Sequence, residues 1–218
     1  MTAEHDTQAE QHFYESLKTR VLSRFSPNGI PDGSEVSVQY RGEKFTMSLA
    51  QMTIDEGKHS GLTLAAYKKR PQFGKDMLYE PIGHVEIKFV EGTVRLSTSP
   101  FGDDKPPAID TFAPQVQASV IAFTSPEDNK KHNALDVETN YRGRGYGILL
   151  YALGKALARE RGYSEMRIVG PRLESVGFYE KLGVQSLEDM DFVKITPLTF
   201  SPAEQEVLNA LRIIGPTR

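Results

Sequence analysis

The residues best suited to chemistry stand together in the second half of the chain, as Leu135-Asp136-Val137-Glu138-Thr139-Asn140-Tyr141-Arg142-Gly143-Arg144-Gly145-Tyr146-Gly147. The pattern predicts a strand that ends and a turn that supplies Gly143, Gly145 and Gly147 where a helix begins. Small residues there let backbone N–H groups approach an anion, and a helix N-terminus adds partial positive charge. Arg142 and Arg144 add donors suited to phosphate oxygens. The turn therefore reads as a site for a phosphate-bearing ligand; the alternative is a plain strand–helix connection with glycines for tight turning. The dinucleotide fingerprint requires a further glycine where Ile148 stands, and a nucleoside-triphosphate loop requires Gly-Lys-Ser/Thr. What fits is Arg-x-x-Gly-x-Gly, read as Arg142, Gly145 and Gly147, followed later by Phe178-Tyr179-Glu180-Lys181-Leu182-Gly183.

The elements that must position this turn follow from periodicity. Phe13, Leu17, Val21 and Phe25 form one stripe of a helix over about 7–25. Val36, Val38 and Tyr40 alternate, a polar turn covers 41–44, and Phe45, Met47 and Leu49 alternate again, which predicts a hairpin. Further strands are expected over about 62–68, 82–90 and 93–98. Residues 99–114 hold four prolines and read as a long surface loop. Strands are expected over 116–123 and 133–139, a helix over 146–161 stopped by Gly162, and a strand over 166–169. A helix over 174–182, strands near 184–187 and 192–196, and a last helix complete the chain. Ser201, Pro202 and Glu204 sign the start of that last helix as cap, first position and capping-box partner.

Strand, helix, strand between Asn133 and Val169 is a βαβ unit, whose two strands are parallel. The fold class expected is thus α/β, a mixed and mostly antiparallel sheet with one parallel pair. Residues 1–115 would be a helix and strand-rich elaboration sharing one core with the rest, 116–200 the ligand-binding core, and 201–218 a C-terminal helix.

Composition narrows the function. The 218 residues carry 26 Lys and Arg against 29 Asp and Glu, a net charge of −3, which disfavours a nucleic-acid partner. There is no cysteine, which excludes thiolate metal sites, disulfides and a cysteine nucleophile. His5, His12, His59, His84 and His132 show no ligand spacing, so no metal site is expected. No segment approaches the about 18 uncharged apolar residues of a membrane span. The polar, acidic start lacks a secretory pattern, and a cytoplasmic location is the default.

The two motifs together resemble the GNAT superfamily of N-acetyltransferases. In that family a V-x-x-x-x-R-G-x-G-x-G segment closes the fourth core strand and an F-Y-x-x-x-G segment lies on a later helix. Here these are Val137–Gly147 and Phe178–Gly183, and the resemblance covers about residues 133–196. It implies acetyl-CoA as co-substrate, held in a cleft where two parallel strands splay. It implies that Leu135 and Val137 offer backbone groups to the pantetheine arm. Arg142, Gly143, Arg144, Gly145, Tyr146, Gly147 and Ile148 would wrap the pyrophosphate. Tyr179 would protonate the departing thiolate as catalytic acid, and the Val137 N–H would meet the oxyanion. The reaction implied is direct attack of a primary amine in a ternary complex, with the amine on a small molecule, peptide or protein.

An alkyl ammonium must lose a proton before it attacks. For the base the sequence offers Asp136, Glu138 or a water relay; both carboxylates also read as solvated strand-face groups. Tyr179 with Phe178 reads alternatively as helix-to-sheet packing. The chain departs from the family at Thr139, Arg172, Ser175 and Val184, and Arg172 could reach a phosphate instead. Residues 34–98 read as strands where the family has two early helices, so the acceptor site does not carry over. A non-catalytic GNAT-like binding or interaction module is the alternative. The terminal helices are packing elements or the surfaces of a homodimer.

Overall fold

The computed structural model describes residues 3–25, 34–54, 59–71, 77–90, 117–120, 123–124, 131–132, 135–137, 139–163, 165–169, 176–183, 192–195 and 198–216. Four long antiparallel strands, β1 (Ser34–Tyr40), β2 (Glu43–Ile54), β3 (His59–Pro71) and β4 (Met77–Val90), form its centre. Alternation explains them. Val36, Val38, Tyr40, Phe45, Met47, Leu49, Leu62, Leu64, Ala66, Val85 and Ile87 are all buried, and the strand register puts them on one face. The hairpin between β1 and β2 is tighter than the sequence suggests. Tyr40 pairs with Glu43, leaving a two-residue loop, and both Arg41 (φ 48°) and Gly42 (φ 85°) are left-handed as a type I′ turn requires.

The edge of β4 away from β3 carries one interrupted strand. β5 (Gln117–Val120) pairs antiparallel with Lys88–Val90, and β8 (Leu135–Val137) pairs antiparallel with Gly83–Val85. Between them lies the short β6 (Phe123–Thr124) and β7 (Lys131–His132) hairpin. β9 (Glu165–Val169) runs parallel to β5, and β10 (Phe192–Ile195) is antiparallel to β9. β8 continues the direction of β5 and so runs the same way as β9, as read from residues 133–169, but the described residues of β8 and β9 do not pair. β9 takes β5 as partner, while β8 has β4 alone among the described residues.

Helix α1 (Ala3–Arg20) continues into a tight turn at Leu22–Phe25, starting and ending slightly earlier than its periodicity implies. Helix α2 (Tyr146–Glu160) covers the apolar face of the sheet. Its Gly154 makes the fit close, since a Cβ there would lie 3.1 Å from Ile87 Cδ1. Tyr14 on α1 donates to Glu160 at 3.0 Å, and Lys18 pairs with the same carboxylate at 3.2 Å. Helix α3 (Val176–Lys181) is short, and α4 (Pro202–Ala210) starts with the expected capping box on Ser201. The chain end is not all helix: α4 stops at Ala210, and β11 (Leu211–Pro216) pairs with β1, completing the sheet order β10-β9-β5-β4-β3-β2-β1-β11. Leu211, Ile213 and the bulge after Ser37 account for this, because β1 otherwise presents an unpaired edge. One core cluster joins residues from Tyr14 to Leu211. The expected strand at 93–98, the loop at 99–114 and the strand at 184–187 lie outside the described residues.

No helix among the described residues is long and apolar enough to cross a membrane, and none of their His, Asp and Glu side chains group as a metal site.

Candidate functional site

β8 ends at Val137, a single helical turn covers Thr139–Tyr141, and the chain then enters α2 through Gly143 and Gly145. Both glycines are left-handed, with φ 73° and 86°, which is why alternating glycines stand here. Gly145 is the N-cap of α2 and has no side chain to cap the first turn. An uncapped first turn leaves N–H groups and the positive end of a long helix aimed outward, which is the requirement for an anion site.

Gly147 serves a different purpose. A Cβ on it would lie 3.1 Å from Phe178 Cε2 and 3.7 Å from Val137 Cγ2. The end of β8, the start of α2 and the side of α3 thus meet at one backbone position. Val137 and Tyr146 are buried, Leu135, Gly147 and Ile148 are half-buried, and Arg142, Gly143 and Arg144 are exposed. The two arginines are already engaged with the protein. Arg142 Nε donates to the Val137 carbonyl at 2.8 Å, and Arg144 Nη1 meets Glu43 Oε1 at 3.0 Å.

Tyr179 lies behind this meeting point, 6% exposed, with its ring 6.1 Å from Tyr151 and 5.0 Å from Phe178. Burial pushes its hydroxyl pKa up to about 12, from an ordinary 10 at which it is already protonated at neutral pH. Of the two suggested bases, Asp136 stands opposite His84 in the β8–β4 register. Glu138 and Arg172 lie outside the described residues.

Several residues around the turn were missed by sequence reasoning. Tyr40 and Arg41 both reach the Arg144 carbonyl at 3.4 Å, and Arg41 Nη2 pairs with Glu206 at 2.8 Å. Glu43 accepts from Lys68 at 2.8 Å and from the Tyr146 hydroxyl at 3.3 Å. Tyr141 donates to Glu80 at 2.6 Å while the Lys68 ammonium sits 5.0 Å over its ring. The only local signal was the tight Tyr40–Glu43 turn, whose side chains land beside α2 through a long-range packing that periodicity does not encode.

The charges also set a pH dependence. Lys68, through its hydrogen bond, holds the Glu43 carboxyl below its ordinary 4.5, and Lys69 followed by Tyr67 does the same to Glu35. Both carboxylates bind protons less readily folded than unfolded, so the unfolded chain takes up more protons in the acid range. Their contribution is complete above about pH 4.5 and is lost as pH falls through the lowered values. Both side chains are about a third or less exposed, 32% and 27%, so solvent trims the effect. Urea midpoints should therefore fall between pH 6 and pH 3, by about a few tenths molar, and the slope should shrink in Glu43→Gln.

Residues 110–184 match the acetyltransferase (GNAT) family. The matched segment begins before β5 and so takes in both halves of the interrupted strand. No curated protein matches the sequence. A mutant form of a cAMP-binding acyltransferase from Mycobacterium smegmatis superposes with a TM-score of 0.41 at 13% identity, over 91% of this chain and 59% of that one. The chain thus spans about three fifths of that protein's length.

Proposed function

We propose, from a chain whose residues 110–184 match the GNAT acetyltransferases, that the protein transfers an acetyl group from acetyl-CoA to a primary amine. The observation that carries this reading is the uncapped N-terminus of α2, set by left-handed Gly143 and Gly145 beside the end of β8. Glycine is required at this corner by packing as well as by its backbone angle: at Gly145 a Cβ would come within 2.4 Å of the Tyr40 hydroxyl.

When bound, acetyl-CoA would supply an acyl thioester. Residues Arg142–Ile148 would hold its pyrophosphate on backbone N–H groups, with the positive end of α2 behind them. Arg144 would trade its contact with Glu43 for a phosphate oxygen, a charge-assisted exchange of similar strength. Leu135 and Val137 would line the arm, on the β8 edge that has no strand partner among the described residues. Tyr179 would hold a proton for the leaving sulfur, its hydroxyl being neutral at its ordinary pKa as well as at the raised one.

Tyr179→Phe tests the assignment. Acetyl-CoA affinity by calorimetry should change little, while turnover with an accepted amine should fall about 100-fold or more, the usual range for a lost general acid. The second reading, a binding module without catalysis, draws on the same residue being only 6% exposed. It predicts binding of acetyl-CoA with no acyl transfer to any amine, in wild type and Tyr179→Phe alike.

A further inference from the structure

The sheet face opposite α2 holds a cavity of about 350 Å³, lined by Ala65, Ala66, Tyr67, Tyr79, Pro81, Gly83 and His84. Its origin is a proline. Pro81 stands inside β4 with no N–H to give the ladder, and the β3–β4 register slips there, Ala66 pairing with Gly83 but Tyr67 with Pro81. Such a bulge bends the strand and re-aims its side chains. Tyr67 and Tyr79 then meet edge to face, ring centroids 5.5 Å apart, over small residues that leave the space between them empty.

The position of the cavity matters as much as its walls. Gly83 at its base pairs with Val137, the last residue of β8, and His84 pairs with Asp136. Val137 turns its side chain toward Gly147 and α2, on the other face of the sheet. The cavity and the α2 N-terminus therefore flank the same end of β8 from opposite sides.

We propose that this cavity binds the acceptor, a compact amine carrying one positive charge and an aromatic ring; the word acceptor rests on the acyl-transfer reading above. The chemistry of the walls selects this class. Two tyrosine rings and a proline favour a flat apolar body, and tyrosine faces attract an ammonium. The Lys69 ammonium already lies 5.9 Å over the Tyr79 ring. Among the described residues no carboxylate lines the cavity, and nearby Glu35 is held by Tyr67 at 2.5 Å and by Lys69. The described walls offer a polyamine no counter-charges for its several ammonium groups. The volume is near the lower end for ligand pockets and suits one ring system with a short arm. Besides the two tyrosine hydroxyls, His84 is the polar side chain that the described wall supplies.

Calorimetry with tryptamine, n-butylamine and spermidine, each titrated without acetyl-CoA, tests this, with acetyl-CoA titrated separately. Tryptamine should bind about tenfold or more tightly than either of the others. Ala65→Trp, which fills the cavity, and Tyr79→Ala, at a 55% exposed position that does not threaten folding, should each weaken tryptamine about tenfold. Neither should alter acetyl-CoA affinity. Absence of tryptamine binding up to about 10 mM in a sample that binds acetyl-CoA overturns the cavity proposal. So does tryptamine binding that both variants leave intact, or spermidine binding equally well. Tryptamine binding without acetyl-CoA binding upholds the aromatic-amine site and overturns the acyl-transfer reading instead.

Discussion

Gly145→Glu should raise the acetyl-CoA dissociation constant by about 100-fold or more. The residue caps α2 with φ 86°, and its Cα faces Tyr40 and Arg41 from the β1–β2 turn. A side chain there enters the packed corner beside Tyr40 and Arg41, and its carboxylate brings a negative charge to the α2 N-terminus where the pyrophosphate would bind. At the protein surface, like charges about 4 Å apart cost up to about 4 kcal/mol, and solvent exposure reduces this. Backbone strain must be separated from charge. Gly145→Ala suffers the same left-handed strain, about 1–2 kcal/mol, and the same clash with the buried Tyr40 hydroxyl. Both variants should therefore lose comparable thermal stability, while Gly145→Glu alone loses the further affinity that repulsion takes. Calorimetry and melting curves on the pair read this directly. If the Glu variant binds acetyl-CoA as well as the Ala variant, the pyrophosphate does not lie at this turn.

That turn was legible in the sequence because its demands are local. Left-handed backbone at 143 and 145, close approach at 147 and a helix start each select glycine, whatever the rest of the fold does. The capping box at Ser201–Glu204 and the alternation of β1 to β3 were legible for the same reason. What stayed hidden depends on partners distant in sequence. Which strand pairs with β9 is decided by β5 docking on the far end of β4, and residues 133–139 alternate as well as 117–120 do. Leu211–Pro216 continues the apolar spacing of a helix but lies against an open edge of β1, where pairing outweighs propensity. His84 read only as one of five histidines without ligand spacing. It gains meaning only once the Pro81 bulge brings it beside two tyrosines.

The charged residues show the same division. Arg142 and Arg144 announced themselves by neighbouring glycines, whereas Arg41 and Glu43 did not. Yet Arg41 links the turn to α4 through Glu206, and Glu43 gathers Lys68, Arg144 and the Tyr146 hydroxyl. These contacts hold the entrance of α2 against the β1–β2 hairpin, so the proposed anion site depends on a hairpin some hundred residues earlier. Lys155 fixes the other half of the helix.

Removing either member of the Lys155–Glu204 pair should cost about 3–5 kcal/mol of stability. Lys155 on α2 and Glu204 on α4 are 4% and 0% exposed, with Nζ and Oε1 2.5 Å apart. The ammonium also donates to the Thr199 carbonyl at 2.9 Å and lies 5.2 Å over the Tyr151 ring. Glu204 Oε2 accepts from the Ser201 N–H at 2.7 Å, so one carboxylate caps α4 and neutralises α2. Around them are the buried Tyr151, Phe200 and Leu208, whose rings and chain cannot replace water around a carboxylate. Lys155→Met leaves a buried carboxylate uncompensated. Glu204→Gln keeps a capping oxygen for Ser201 but strands the ammonium. Burial already lowers the Lys155 pKa and Glu204 opposes that, so in Glu204→Gln the lysine must fall further. Its folded pKa then lies below the unfolded value, the unfolded chain binds more protons in between, and stability rises with pH across that window. Glu204→Gln should thus recover part of its loss between pH 7 and pH 10, which wild type should do less. The double variant, Lys155→Met with Glu204→Gln, leaves no charge in the pocket and should lie well above the sum of the single losses, by about 2 kcal/mol or more. Urea denaturation of the four proteins measures the coupling. Additive losses would mean that the two groups act on stability separately, and that α4 is held to α2 by its apolar contacts alone.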